Sequence, residues 1–157
     1  MSDMAVGSVQ RFVPAGKGYR LVNQACVWTS ALGGGAPYSA TLLDFTSNGG
    51  SLESIARSVS VVRGTPTVVG EVRVSNDKQW HGFIATQVSG VWTPTVATSD
   101  MNSSRWTITS IKAVNASGVM VASARARNSS CIQGVLLIAS PANNGPVIWP
   151  RLAPANG

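Results

Sequence analysis

The residues that could carry out chemistry are few and lie far apart in the sequence. His81 is the one histidine, so any general base of imidazole type, or any imidazole metal ligand, would have to be this residue. It lies between Trp80 and Gly82 in a strand-like segment, without the sequence motif of a catalytic triad or a zinc site. We interpret His81 as a strand residue that packs or bonds locally, and catalysis as the weaker alternative.

The acidic residues also fail to indicate catalysis. A glycosidase would need two carboxyl groups brought within about 5–10 Å of each other. Nucleotide-binding glycine loops and CxxC motifs are absent from the sequence. We therefore predict a protein that is not an enzyme and that uses no cofactor and no metal. The six acidic residues are each isolated: Asp3, Asp44, Glu53, Glu71, Asp77 and Asp100.

Two cysteines, Cys26 and Cys131, are too far apart in sequence to form a metal-binding motif. Both lie in apolar, strand-like runs, where cysteine behaves as a small hydrophobic residue. The sequence favours two buried free thiols, and it leaves a disulfide open as the alternative.

Tryptophan offers a different chemistry, since indole rings can stack on sugar rings. Trp80 and Trp92, with His81 between them in sequence, form a candidate ligand-binding set for a glycan. The structural alternative is that each indole covers the end of a hydrophobic core while its N–H reaches a hydrogen-bond partner.

Length and composition limit the class of protein. The chain has 157 residues, which suits one domain, with 44% hydrophobic and 11% charged residues and a formal charge of +6. The basic residues are spread singly, so we predict a generally basic surface without specific nucleic-acid recognition. The sequence shows neither a signal peptide nor an apolar run of membrane-spanning length.

The chain alternates strand-like segments and turns throughout. Runs rich in Val, Ile, Thr and aromatic residues are bounded by Gly, Pro, Asn, Asp and Ser, as in GEVRVSNDKQW, and no segment keeps a helical period. In this run Glu71 and Arg73 alternate with Val72 and Val74, which sends charges to one face and valines to the other. The pattern predicts an all-β protein built from antiparallel sheets.

A repeat of about 50 residues is visible when the sequence is compared with itself. The segment 67–84 matches 119–136 at a shift of 52, and Ser54 and Ile55 match Ser110 and Ile111 at a shift of 56. Such a repeat has the size of one propeller blade, and a β-sandwich is the alternative fold. We predict an N-terminal arm at 1–18 and a β-repeat domain at 19–141, with units at about 43–92 and 96–141 and a partial unit at 19–42. A C-terminal arm follows at 142–157.

The chain resembles the extracellular HAF repeat family over roughly residues 20–141, most clearly in the first unit. The match consists of a leucine-aspartate turn, a Gly-Gly loop, a VVG strand and a closing strand that contains His81. The resemblance implies propeller-like blades and a binding module for a glycan or protein ligand, and it implies no catalytic residue. The residues that carry it are Leu43, Asp44, Gly49, Gly50, Val68, Val69, Gly70, His81, Gly82, Phe83 and Trp92.

Two full units cannot close a propeller, so we expect the chain to assemble with copies of itself or with other subunits. The main functional prediction is a structural subunit of a virion shell or tail, or of a surface filament, located in a virion or outside the cell. The C-terminal arm carries Pro146, Pro150 and Pro154, which favour an extended chain. Its apolar group should dock into a neighbouring subunit or onto the first strands near Trp28. The predicted interface residues are Val147, Ile148, Trp149, Leu152 and Trp28.

We also predict which strand residues form the core. The predicted buried residues are Val69, Val72, Val74, Phe83 and Ile84 in the first unit, and Val121, Ile132, Leu136 and Ile138 in the second.

Overall fold

The computed structural model describes residues 3–30, 37–97, 106–126, 129–139 and 148–151, the last four and 138–139 by their backbone only. The described chain consists of β-strands with one short 3₁₀ helix, Thr46–Asn48. This confirms the predicted all-β, antiparallel class. The strands are β1 (Asp3–Ala15), β2 (Gly18–Ser30), β3 (Ser39–Leu42), β4 (Gly50–Val62), β5 (Thr65–Val74), β6 (Trp80–Val88), β7 (Val91–Val96), β8 (Trp106–Val114), β9 (Val119–Ala126), β10 (Ile132–Ala139) and β11 (Ile148–Arg151).

The strands form three antiparallel sheets, each of which follows the chain without crossovers. The first sheet has the order β1-β2-β3, the second β4-β5-β6-β7 and the third β8-β9-β10-β11. Within each sheet, strands that are consecutive in sequence therefore pair with each other. Tight turns suffice for such connections, and Gly16, Gly64, Gly90 and Gly118 lie at hairpin turns with positive φ.

The described parts of the predicted arms, residues 3–15 and 148–151, belong to sheets. The segment Asp3–Ala15 pairs along its whole length with β2, from Asp3 opposite Ser30 to Ala15 opposite Gly18. Residues 148–151 form the edge strand β11, which pairs with β10. A proline is tolerated at such an edge, because the outer side of an edge strand makes no ladder hydrogen bonds.

The second and third sheets share strand order and register. Val69 lies opposite Ile84 in the second sheet, and Val121 lies opposite Leu136 in the third, as the shift of 52 requires. In the first strand of each sheet, Ala56 lies opposite Gly70 and Ile111 opposite Ala122, so the strand pairing corresponds to a shift of 55 instead of 56. The two sheets span 50–96 and 106–151, whereas the predicted units were 43–92 and 96–141.

Two hydrophobic cores hold the sheets together, one on each face of the second sheet. Between the first and second sheets, Val27, Phe45, Val72 and Phe83 are fully buried, with the Phe45 and Phe83 ring centroids 4.6 Å apart. On the other face, residues of the second sheet pack against the third. That core contains Val69, Ile84, Ala97, Ile108, Ile111, Val114, Met120, Ala122, Ala124, Val135 and Leu137.

The core prediction is confirmed for the first unit and wrong for most of the second. Four of the five first-unit residues are buried, and Val74 is half-buried. Val121, Ile132 and Leu136 are instead 47%, 64% and 42% exposed. In β9 and β10 the neighbours on the opposite face, such as Ala122 and Leu137, form the core. The side chain of Ile138 lies outside the described residues.

Candidate functional site

The three residues of the predicted glycan-binding set do not converge. Trp80 lies opposite Arg73 and His81 lies opposite Val72, so the two neighbours project from opposite faces of β6. Trp92 on β7 packs against the core between the first and second sheets. These residues therefore form no shared aromatic platform on which a sugar ring could stack.

His81 has a carboxylate partner that the sequence did not reveal. Its Nε2 atom lies 2.7 Å from Oδ2 of Asp77, and Oδ1 of Asp77 accepts a hydrogen bond from the Gln79 amide. Burial would by itself raise the Asp77 pKa, but the Gln79 amide and the His81 ring outweigh it and hold that pKa below its ordinary value. The β5–β6 turn creates the contact, because it folds position 77 back over position 81.

The contact with Asp77 fixes the orientation of the imidazole. General-base catalysis would also need a nucleophile or a substrate proton beside the ring. Among the described residues, Asp77 is the side chain that makes a polar contact with His81. The described ranges also contain no group of three or more His, Cys, Asp or Glu side chains placed to hold a metal ion. The arrangement suits a structural role, in which the Asp77–His81 contact stabilises the β5–β6 turn.

A second polar cluster joins the second and third sheets. Glu71 on β5 accepts hydrogen bonds from Arg57 on β4 at 2.5 Å and from Lys112 on β8 at 3.2 Å. Burial would raise the Glu71 pKa, but contacts with Ser110, Arg57 and Lys112 outweigh it and hold the pKa below its ordinary value. The cluster therefore stabilises the packing of the two sheets when Glu71 is ionised.

The ionisation of Glu71 gives an acid-dependent stability. Because its pKa is lower in the folded chain, its contribution is present above the unfolded pKa, about 4.3–4.5, and is lost as pH falls through the folded pKa. We expect the free energy of unfolding to fall in this acid range and the Glu71→Gln variant to lose part of that dependence. Urea titrations from pH 7 to pH 3 measure it. Parallel curves for the parent and the variant would contradict the assignment.

The predicted interface residues lie in separate places. Trp28 is half-buried on the face of the first sheet that points away from the second, where its ring covers Gly7. Ile148 and Trp149 belong to β11, whose backbone pairs with β10 and not with the first strands. Val147 and Leu152 lie outside the described residues.

The two cysteines are free, and they differ in exposure. Cys26 is buried in the first sheet, and burial raises the pKa of its thiol, partly offset by a backbone hydrogen bond from Thr41. Cys131 is exposed at the start of β10, contrary to the prediction that both thiols are buried. A disulfide between them is therefore absent.

The outer face of the third sheet exposes large apolar side chains. Val121, Ile132 and Leu136 are exposed on the same face of β9 and β10. Val121 lies directly opposite Leu136, and Ile132 lies opposite Arg125. Val69 and Ile84 occupy the same register in the second sheet, where they are buried against the third. We call these three exposed residues the open face.

Comparison with known proteins gives no relative: no family model, curated protein or solved structure matches the chain. Among the described residues, no helix has the length and apolar character that a membrane crossing requires.

Proposed function

We propose that the protein is a non-enzymatic structural subunit, which assembles with copies of itself by packing sheet against sheet. Such an assembly would suit a virion shell or tail, or a surface filament. The open face is the observation that carries the proposal. Exposed valine, isoleucine and leucine side chains grouped on a sheet favour burial against a partner.

The repeat supports a partner of the same kind as the chain's own sheets. In the second sheet, the pair Val69 and Ile84 is covered by the third sheet. In the third sheet, Val121 and Leu136 repeat this pair at the same register without a cover. Another sheet that packs on them would continue the stacking already present within the chain.

The first sheet of a second copy is the partner that we infer. Its outer face carries Trp28 and Leu42. In β2, Trp28 and Cys26, the pairing partner of Leu42, flank the core residue Val27 and therefore point to the other face. Leu42 is 40% exposed. A contact between this face and the open face joins two different surfaces, so it produces a ring if the rotation closes and a filament if it does not. The HAF-type resemblance of the sequence agrees with this proposal, because blades also stack face to face.

Replacing Val121 with lysine tests the assembly. A charged side chain at the centre of the open face would have to be desolvated in the contact, so we expect association to weaken by at least about tenfold. Sedimentation velocity over a range of protein concentrations measures the effect. Val88→Lys is the matched control, because Val88 is 62% exposed in the second sheet, away from both stacking faces.

A mixing experiment tests the direction of the contact. Leu42→Lys blocks the face of the first sheet, and Val121→Lys blocks the open face. In a contact between unlike faces, the mixture of the two variants keeps one intact pair of surfaces and should form two-chain complexes that neither variant forms alone. A parent protein that stays monomeric at every concentration, or a Val88→Lys variant as defective as Val121→Lys, would overturn the proposal.

A further inference from the structure

An open, basic cleft of about 390 Å³ lies where the first sheet meets the end of the β5–β6 hairpin. Its volume falls within the range of small-ligand sites. The cleft is separate from the open face and is independent of the proposed assembly. Its lining residues are Arg20, Ser51, Arg73, Val74, Ser75 and Lys78.

The cleft contains more positively charged than negatively charged side chains. Arg20, Arg73 and Lys78 provide three cations, while the Glu53 carboxylate contacts the two arginines. Oε2 of Glu53 accepts from Arg20 at 3.3 Å and from Arg73 at 3.1 Å. The nearby Asp77 carboxylate is bound to the Gln79 amide and to His81. The cleft therefore keeps an excess of positive charge.

The contacts also hold these groups in place. Nε of Arg73 donates to the Lys78 carbonyl at 3.3 Å, and the Lys78 amide donates to the Val74 carbonyl at 3.0 Å. The Ser75 hydroxyl donates to the Gly50 carbonyl, and the Ser51 hydroxyl accepts from the Glu53 amide, so the Ser51 proton is left to donate. Each guanidinium retains N–H groups that Glu53 does not use. Together they offer several donors around one space.

The geometry points to a binding site for a phosphate or sulfate group, either as the free anion or as a monoester on a small molecule such as a sugar. Guanidinium groups bind such oxoanions with paired, charge-assisted hydrogen bonds, and a lysine adds a point charge. The serine hydroxyls and the free oxygen of Glu53 suit the hydroxyl groups of an attached sugar. No sequence pattern predicts this site, because Arg20 of β2 lies far in sequence from Arg73 and Lys78 of the β5–β6 hairpin.

Titration with inorganic phosphate, glucose 6-phosphate and glucose tests the site in the intact chain at low salt. We expect saturable binding of inorganic phosphate and of glucose 6-phosphate, and no binding of glucose. Changes in backbone amide chemical shifts, or calorimetry, measure the binding. Equal affinity for inorganic phosphate and glucose 6-phosphate would show that the phosphate group alone accounts for the binding. Tighter binding of the ester identifies contacts with the sugar. Absence of saturable binding at millimolar phosphate would overturn the proposal.

Lys78→Gly is the informative variant, and Arg63→Gly is its matched control. Both residues have positive φ, 56° and 49°, so glycine relieves the same backbone strain while removing one cation from each turn. Arg63 lies in the β4–β5 turn at the opposite end of the second sheet. Losing a charge-assisted hydrogen bond should weaken phosphate binding about tenfold in Lys78→Gly. An equal loss in Arg63→Gly would show only a general effect of net charge and overturn the proposal.

Discussion

Replacing Gly70 with alanine should destabilise the protein by about 3 kcal/mol or more. A Cβ atom at Gly70 would collide with the Ile55 carbonyl oxygen and would lie 2.7 Å from the Phe83 ring. The oxygen belongs to the backbone of β4, which cannot move aside without disturbing its pairing with β5. Urea unfolding followed by tryptophan fluorescence measures the loss of stability.

A second strand glycine, Gly134 in β10, supplies a control for this substitution. Gly134 also lies in a strand interior, but a Cβ atom there would meet nothing within 4 Å. We expect Gly134→Ala to change the free energy of unfolding by less than about 1 kcal/mol. If Gly70→Ala unfolds at the same urea concentration as the parent, the close approach of β4, β5 and Phe83 is wrong.

Truncation of Phe83 to alanine should cost about 3–5 kcal/mol. The side chain is fully buried between the first and second sheets, where its ring contacts that of Phe45 and covers Gly70. The cavity cannot collapse easily, because the rigid strands of two sheets surround it. Thermal and urea unfolding of the purified variant measure the effect.

Val88→Ala, in the same strand, is the control for Phe83→Ala. Val88 is 62% exposed, so its truncation should alter stability by no more than about 0.5 kcal/mol. A loss below about 1 kcal/mol for Phe83→Ala would mean that the ring does not fill a core between two sheets.

The class of fold could be predicted from the sequence because strand period and turn residues are local signals. In β5 the alternation of Glu71 and Arg73 with Val72 correctly marks Val72 as buried. In β9 Arg125 lies on the same face as Val121, but the hydrophobicity of Val121 led to the prediction that this face is buried. The number of sheets that cover a strand is a tertiary property, and so Val69 is buried while its counterpart Val121 is exposed.

The candidate sites depend even more on contacts between distant segments. Asp77 and His81 are four residues apart, which is a helical spacing, and only the hairpin turn makes them partners. Arg20 reaches the cleft from the first sheet, at a sequence distance from Arg73 that no local pattern encodes. The predicted set of Trp80, His81 and Trp92 treated residues close in sequence as close in space, whereas the strand neighbours Trp80 and His81 point to opposite faces.

Burial of the second sheet on both faces has a consequence for synthesis on the ribosome. When residues up to Val96 have emerged, the first and second sheets can already pack together through Val27, Phe45 and Phe83. The opposite face, with Val69 and Ile84, stays in water until β8, β9 and β10 follow. During that interval the nascent chain carries an apolar sheet surface that only its own later residues can cover. The nascent chain is thus prone to aggregate until the residues after Val96 that cover this face have been translated.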